Sequence, residues 1–275
     1  MITKPRLLCP VYSTFKIAAK YLNYYLTASN GKGHGTHSPF VFEFITKVLN
    51  DKEVYPAYKE VEELRQQLLN DKRILNVDDF GAGSGADKTN QRTVASIAKH
   101  AAKPPKFGQL LYRIARFYQP ATIFELGTSL GITSSYLARA RADAILVTME
   151  GAKEILAVAK NNFTALHLNN IRAIGGNFDQ TLASTIEQYL TIDLAFIDGN
   201  HRLRPTIQYF EVLLAKTNNF SIIILDDIHW SKEMEAAWDH CKNHPAITLS
   251  IDLFFIGILI FRKEIKEKQH FVIRY

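Results

Sequence analysis

The segment Ile123-Phe124-Glu125-Leu126-Gly127-Thr128-Ser129-Leu130-Gly131 reads as a strand that runs into a glycine loop and then a helix. Gly127 permits a tight turn with close backbone approach to a ligand, and Gly131 lets the following helix pack near that ligand. Nineteen residues beyond Gly131, an apolar run over 145–149 ends at Glu150. A carboxylate there can accept hydrogen bonds from both hydroxyls of a ribose. In doubly wound sheets ligands bind outside the carboxyl ends of the strands, at the switch point.

Working outward, the chain alternates regularly after residue 105. A helix over 107–118 carries Phe107, Leu110, Leu111, Ile114 and Phe117 on one face, and Pro120 stops it. Strands are predicted over 122–126, 145–149, 171–174, 194–197 and 221–225, separated by helices over 132–141, 152–163, 180–189 and 204–214. A helix over 232–242 leads to two last strands, 247–252 and 255–261. Their short link cannot hold a crossover helix, so that pair is antiparallel. The expected fold is α/β: a doubly wound seven-stranded sheet, five parallel strands plus the antiparallel C-terminal pair. Residues 1–105 read instead as helices (15–26, 39–49, 58–69, 93–102) with glycine loops at 31–38 and 80–87. They are expected to form an N-terminal helical cap and substrate region on a ligand-binding domain of residues 106–275.

Two glycine signals compete with this reading. A dinucleotide fingerprint needs glycine at 129 and 132, where this chain has Ser129 and Ile132. The stretch Asp79-Phe80-Gly81-Ala82-Gly83-Ser84-Gly85 has the glycines, but no strand ending in an acid follows it at the required distance. It is read as an element of the cap or a plain connecting turn.

Carboxylates also end the next strands: Phe196-Ile197-Asp198-Gly199-Asn200-His201 and Ile224-Leu225-Asp226-Asp227-Ile228-His229. Three aspartates clustered on a buried edge need a cation or a hydrogen-bonded substrate, and oxygen ligands of this kind suit Mg²⁺ or Mn²⁺. Helix capping is the alternative for Asp226 and Asp227, with Asp227 capping or orienting the loop into the helix over 232–242.

Glu125-x-Gly127-x-x-x-Gly131 with Glu150 resembles motif I and the ribose acid of class I S-adenosylmethionine-dependent methyltransferases. The order Glu125, Glu150, Asp198, Asp226-Asp227 is similar to the catechol and caffeoyl-CoA O-methyltransferase group, and Phe-Ile-Asp-Gly-x-His is closer still to a broad set of bacterial methyltransferases. The resemblance covers residues 106–262. It implies S-adenosylmethionine held by Glu125, Gly127, Thr128, Ser129, Gly131 and Thr133, with Asp198 beside it. The ribose lies at Glu150 and the adenine near Asn177 and Phe178. It implies metal ligands Asp198, Asp226 and Asp227. The group's catalytic lysine stands three residues beyond the first metal aspartate, where this chain has His201; candidate catalytic residues are therefore His201, His229 and Asp198.

Composition bounds the partners. The 275 residues are 47% hydrophobic with net charge +6, a modest excess that would serve an anionic substrate, nucleic acid or an acidic membrane surface alike. Without any run of five basic residues nucleic acid is not the expected partner, and the small-molecule acceptor is what the resemblance implies. Cys9 and Cys241 form no metal-spacing motif. No secretory leader is legible, and the apolar stretch 253–261 is far shorter than the ~20 residues of a membrane-spanning helix; the cytoplasm is the expected compartment by elimination. The aromatic helix over 15–26 offers a face for a homodimer. The expected activity is methyl transfer to a hydroxyl oxygen of a small molecule, with divalent-metal assistance. The alternatives are an N-methyltransferase on an amine or macromolecule, and a non-catalytic S-adenosylmethionine-binding protein.

Overall fold

The computed structural model describes residues 11–33, 37–77 and 91–275. The N-terminal part holds α1 (Thr14–Thr27), α2 (Pro39–Phe44), α3 (Pro56–Leu69), a hairpin of β1 (Ile74–Asn76) and β2 (Gln91–Thr93), and α4 (Val94–His100). A π-helical turn, Ile45–Leu49, continues α2. The alternating part follows: α5 (Pro105–Tyr118), β3 (Thr122–Leu126), α6 (Ile132–Ala140), β4 (Ile145–Glu150), α7 (Lys153–Ala165), β5 (Ile171–Gly175) and α8 (Phe178–Ile186). It continues with β6 (Leu194–Ile197), α9 (Leu203–Leu214), β7 (Ile222–Asp226), α10 (Lys232–Asn243), β8 (Leu249–Asp252), β9 (Ile256–Ile260) and β10 (Gln269–Val272).

The main sheet has eight strands in the order β10-β8-β9-β7-β6-β3-β4-β5, and β9 alone runs against its neighbours. The chain builds β3, β4 and β5 in one direction, then crosses back to place β6 on the other side of β3. That reversal opens a crevice at the carboxyl ends of β3 and β6, the switch point of the doubly wound arrangement. The seven expected strands are all present. The eighth, β10, extends the sheet by pairing parallel to β8. Its four residues follow the charged run Lys263–Lys268 and expose alternate side chains, which leaves little apolar signal of an edge strand.

Strand side chains divide between two faces at period two. Ile123, Phe196, Ile222 and Ile224 join the core beneath α5, α6 and α7. Phe124, Ala195, Ile197, Ile223 and Leu225 join the core beneath α8, α9 and α10, with Tyr209, Phe210 and Trp238. Both faces are covered, which is why the strands are apolar throughout rather than alternating.

α5 starts on Pro105 at its first position and ends on Gln119 in the left-handed conformation. It serves as the floor for the N-terminal helices. Tyr55, Tyr58 and Tyr112 stack edge to tilted at centroid distances of 5.0–5.4 Å, and Tyr136 of α6 gives its hydroxyl proton to Glu62 at 2.7 Å. Buried Arg113 ties three segments together by donating to the Val48 carbonyl at 2.7 Å, the Tyr58 hydroxyl at 3.4 Å and the Tyr275 hydroxyl at 2.9 Å. The apolar core runs without a break from Val41 to Ile273, so residues 37–77 share it with the sheet. α1 lies apart, against the carboxyl edge: Lys20 pairs with Glu235 at 2.7 Å, and Tyr24 donates to the Ile273 carbonyl at 2.5 Å. No helix among the described residues is long and apolar enough to cross a membrane.

Leu111 is completely buried within this shared core, so Leu111→Ala should cost about 2–5 kcal/mol. Calorimetry should show a single transition shifted to lower temperature as one unit. Two separate transitions, with only one displaced, would show that the N-terminal helices unfold independently.

Candidate active site

Gly127 ends β3 at φ +114°, and its N–H donates to the Met149 carbonyl of β4 at 2.9 Å. A Cβ at this position would lie 2.0 Å from the Asp198 carbonyl oxygen, and one at Gly131 (φ +84°) would lie 2.5 Å from the Phe163 ring. Glycine is therefore required at both positions by the protein's own packing as well as by any ligand. Ser129, Asn200, His201 and Asp227 also take positive φ values of 44–68°. Left-handed backbone at non-glycine residues is costly and gathers at functional loops, and all four lie at the carboxyl ends of β3, β6 and β7.

Two expected cofactor ligands turn out to face the interior. Glu125 is fully buried; its Oε2 accepts from Thr148 Oγ1 at 2.6 Å and from Ser134 Oγ. The carboxyl therefore belongs to a polar knot between β3, β4 and α6 and offers no surface to a ligand. Burial pushes its pKa up to about 8, against the pull of those two hydroxyls. Thr128 is buried too: its Oγ1 lies 2.6 Å from Thr148 Oγ1, and its N–H donates to the Met149 carbonyl at 3.0 Å. The alternation of inward and outward side chains in β3 accounts for Glu125, and the turn at Gly127 directs Thr128 back to the core.

Glu150 is at the surface of the crevice and half-buried. Its Oε2 accepts from the Ser129 N–H and its Oε1 from the Ala152 N–H, each at 2.9 Å. Two of the four lone-pair sites of a carboxylate are thus used for orientation, leaving sites for a vicinal diol; this is the feature that fits an S-adenosyl ribose. Burial raises its pKa, while the N–H groups of Ala152 and Ser129 lower it. Thr133 sits buried in the first turn of α6. Asn177 caps α8 by accepting from Asp179 N–H at 3.0 Å. Phe178 packs on Tyr209, centroids 5.7 Å apart, and blocks any side chain at Gly199, so it borders the same loop as Asp198.

The acidic cluster forms, with an occupant that sequence reasoning missed. Lys103, half a turn before α5, extends into it: its Nζ pairs with Asp226 and lies 3.3 Å from Asp227 Oδ1. Asp226 is fully buried, and the Lys103 side chain is 12% exposed. Burial lowers the Lys103 pKa, but Asp226, Asp227 and Asp198 together raise it above the ordinary lysine value, so its charge is secure. Burial, Asp198 and Asp227 push Asp226 well above the usual carboxylate range. For Asp198 burial acts upward, yet Lys103 and His201 bring it down to about 2. His201 Nε2 is 3.4 Å from Asp198 Oδ1, and its ring meets Trp230 edge-on at 5.7 Å between centroids.

Of the three expected metal ligands, Asp198 and Asp226 converge, and the third group within the same 4.8 Å is His201 rather than Asp227. Asp227 reaches Lys103 instead, because its left-handed backbone (φ 51°) turns it out of line with Asp226. With an ammonium already among these donors, the set as folded does not fit a divalent ion. His229 is likewise corrected as a candidate base. Its Nδ1 lies 3.1 Å from Glu235 and its Nε2 2.7 Å from Asp252. Burial alone would lower its pKa, but the two carboxylates raise it, and both ring nitrogens are engaged by those carboxylates.

The loop 80–87 lies outside the described residues, as do His34, Gly35 and Thr36 of 31–38. Gly31 packs on the Arg274 carbonyl, just past the end of β10. On the other flank, Glu154 in the first turn of α7 accepts from Asn76 N and Nδ2 at 2.6 and 3.0 Å, and so holds the β1–β2 hairpin beside the Glu150 loop.

The state of Glu125 is testable by pH. The folded protein keeps this proton up to about 8, whereas an ordinary glutamate loses it near 4.5. Its contribution to stability is present below 4.5 and is lost as pH rises toward 8. Across that window the melting temperature of the parent should therefore fall more steeply than that of Glu125→Gln. Parallel pH profiles would show that Glu125 titrates normally.

Residues 124–228 match the family model described as a methyltransferase domain. No curated protein matches the chain. Among solved structures, the S-adenosylhomocysteine-bound methyltransferase of Podospora anserina aligns at TM-score 0.58 and 14% identity, over 92% of this chain and 99% of that one. The S-adenosylhomocysteine complex of the Bacillus cereus O-methyltransferase aligns at 0.53 and 18%, over 80% and 97%. The O-methyltransferase of tomaymycin synthesis from Streptomyces achromogenes, solved with S-adenosylmethionine, aligns at 0.51 and 18%, over 59% and 82%. The switch-point glycines and Glu150 lie on the segment that matches a methyltransferase domain, and the fold as a whole is the one shared by these solved methyltransferases.

Proposed function

We propose that the protein methylates a hydroxyl oxygen of a small molecule, with the acceptor held beside Asp198 and His201. The observation that carries this reading is that pair, 3.4 Å apart, at the end of β6 and against the Gly127 loop. Similar solved structures described as O-methyltransferases, one of them involved in tomaymycin synthesis, support the same class of acceptor.

Bound S-adenosylmethionine supplies an electrophilic methyl on a sulfonium. Glu150 receives the ribose hydroxyls, Gly127, Ser129, Gly131 and Thr133 border the methionine portion, and Asn177 and Phe178 border the adenine. His201 Nε2 faces the Asp198 carboxylate, so Nδ1 is the nitrogen that takes the acceptor's proton as the oxygen–carbon bond forms and the carbon–sulfur bond breaks. The electron pair of that bond leaves on sulfur, giving a neutral thioether. Asp198, held ionised, fixes the imidazole and stabilises the imidazolium that results, an arrangement suited to general base catalysis. Alignment of oxygen, carbon and sulfur carries much of the rate, and the N-terminal segment, with α1 against the carboxyl edge, covers the site and selects the acceptor.

A metal-assisted form draws on Asp198, His201 and Asp226, whose ligand atoms lie within 4.8 Å of one another, and it requires Lys103 to withdraw. The homodimer stands as a proposal on α1, which leaves Phe15, Leu22 and Leu26 exposed.

Calorimetry with S-adenosylhomocysteine should show Glu150→Ala binding about ten- to a hundredfold more weakly, the loss expected for charge-assisted hydrogen bonds; unchanged affinity contradicts the cofactor site. His201→Ala should keep that affinity and lose about 10²–10⁴ in kcat. Full turnover by this variant removes His201 as the base.

A further inference from the structure

The acidic cluster at the ends of β6 and β7 contains more negative charge than a buried edge tolerates alone. Asp226 is fully buried and the Asp198 side chain is 15% exposed, and removing one partner from such a group leaves an uncompensated charge. The compensation comes from 95 to 124 residues earlier in the chain, through one side chain. Lys103 Nζ pairs with Asp226, lies 3.3 Å from Asp227 and acts electrostatically on Asp198.

This lysine is not at the end of a loose loop. Pro104 caps α5 with φ −52° and ψ 147°, and Pro105 occupies the first helical position. Proline fixes φ in both residues and restricts the backbone of the residue before it. The Pro104 carbonyl accepts from Phe107 N–H at 2.9 Å and Gly108 N–H at 3.3 Å. Residues 107, 110, 111 and 114 of α5 are buried in the main core. Lys103 is thus launched from a rigid support, with its stem covered and its ammonium among the carboxylates.

We infer that Lys103 is the resident cation of this cluster and takes the place of a divalent metal there. An ammonium offers three donors and a single positive charge but no coordination sites. While it stays, a divalent ion at Asp198, His201 and Asp226 meets a like charge in contact with the same oxygens. The cluster is a closed electrostatic unit, and the chain binds no divalent ion at it. Resting on the proposed hydroxyl methylation, the inference is that transfer proceeds without added metal.

The test is Mn²⁺ binding, followed by electron paramagnetic resonance on the full chain. The parent should show no saturable site at millimolar Mn²⁺, and chelator should leave its melting temperature unchanged. Lys103→Met should acquire one saturable site, lost again when Asp226→Asn is added. A stoichiometric site in the parent that disappears in Asp226→Asn overturns the inference, and so does a folded Lys103→Met that binds no ion. Should Lys103→Met fail to fold, the parent and Asp226→Asn measurements decide alone. S-adenosylhomocysteine calorimetry on the parent separates the two levels: absence of binding there overturns the methyltransferase site and leaves the resident cation standing.

Discussion

The carbonyl oxygen of Asp198 occupies the space in which a side chain at position 127 would begin, 2.0 Å from the missing Cβ. Asp198 also donates its N–H to the Leu126 carbonyl at 2.8 Å. Through these two contacts the ends of β3 and β6 are brought together, although β4 and β5 intervene in sequence. Everything at the crevice follows from that seam. The turn at Gly127 directs Ser129 toward Glu150, whose orientation depends on the Ser129 N–H. The exit of β6 directs Asp198 toward His201 on one side and the end of β7 on the other. A single β-carbon at 127 would separate the strands whose junction forms the proposed cofactor and acceptor edges alike.

Charge is the second organising constraint. Carboxyl groups crowd one sheet edge, and the environments of three of them push them toward different states. Glu125, closed in by hydroxyls and apolar neighbours, is pushed toward its neutral form. Asp198 stays ionised because Lys103 and His201 outweigh its burial, whereas Asp226, next to Asp198 and Asp227, is driven the other way. Titratable neighbours pushed apart in this manner are the usual mark of a site that handles protons. The sorting depends on the side chain of Lys103, which reaches the edge from the N-terminal segment. That segment is therefore part of the electrostatics of this edge.

The strands and the switch-point glycines were legible because each is a local signal: an apolar run of four to six residues, a glycine at a turn, an acid at a strand end. Glu125 and Asp227 were misassigned for a different reason. A motif tells which residue types occur at a strand end, but the side on which a carboxyl emerges is decided by strand alternation and by backbone such as the left-handed turn at Asp227. His229 looked like a base because its partners, Glu235 and Asp252, belong to α10 and β8 and meet it only in the fold. Lys103 left only an indirect trace. Three aspartates on buried strand ends call for a cation, and a lysine held by two prolines just before a core helix is a candidate, yet nothing local joins the two. β10 was missed because a short edge strand after a charged run depends on β8 for its pairing and has little pattern of its own.

The proposed cofactor site lies at the carboxyl edge of β3 and β4, with the methyl donor directed toward Asp198 and His201. A crystal structure of the protein with S-adenosylhomocysteine tests it most directly. The ribose hydroxyls should lie within hydrogen-bond distance of Glu150, with the Ser129–Glu150 contact preserved, and the thioether sulfur should face the Asp198–His201 pair. S-adenosylhomocysteine bound at the amino ends of the strands, or at the carboxyl edge with its ribose away from Glu150, would contradict the account.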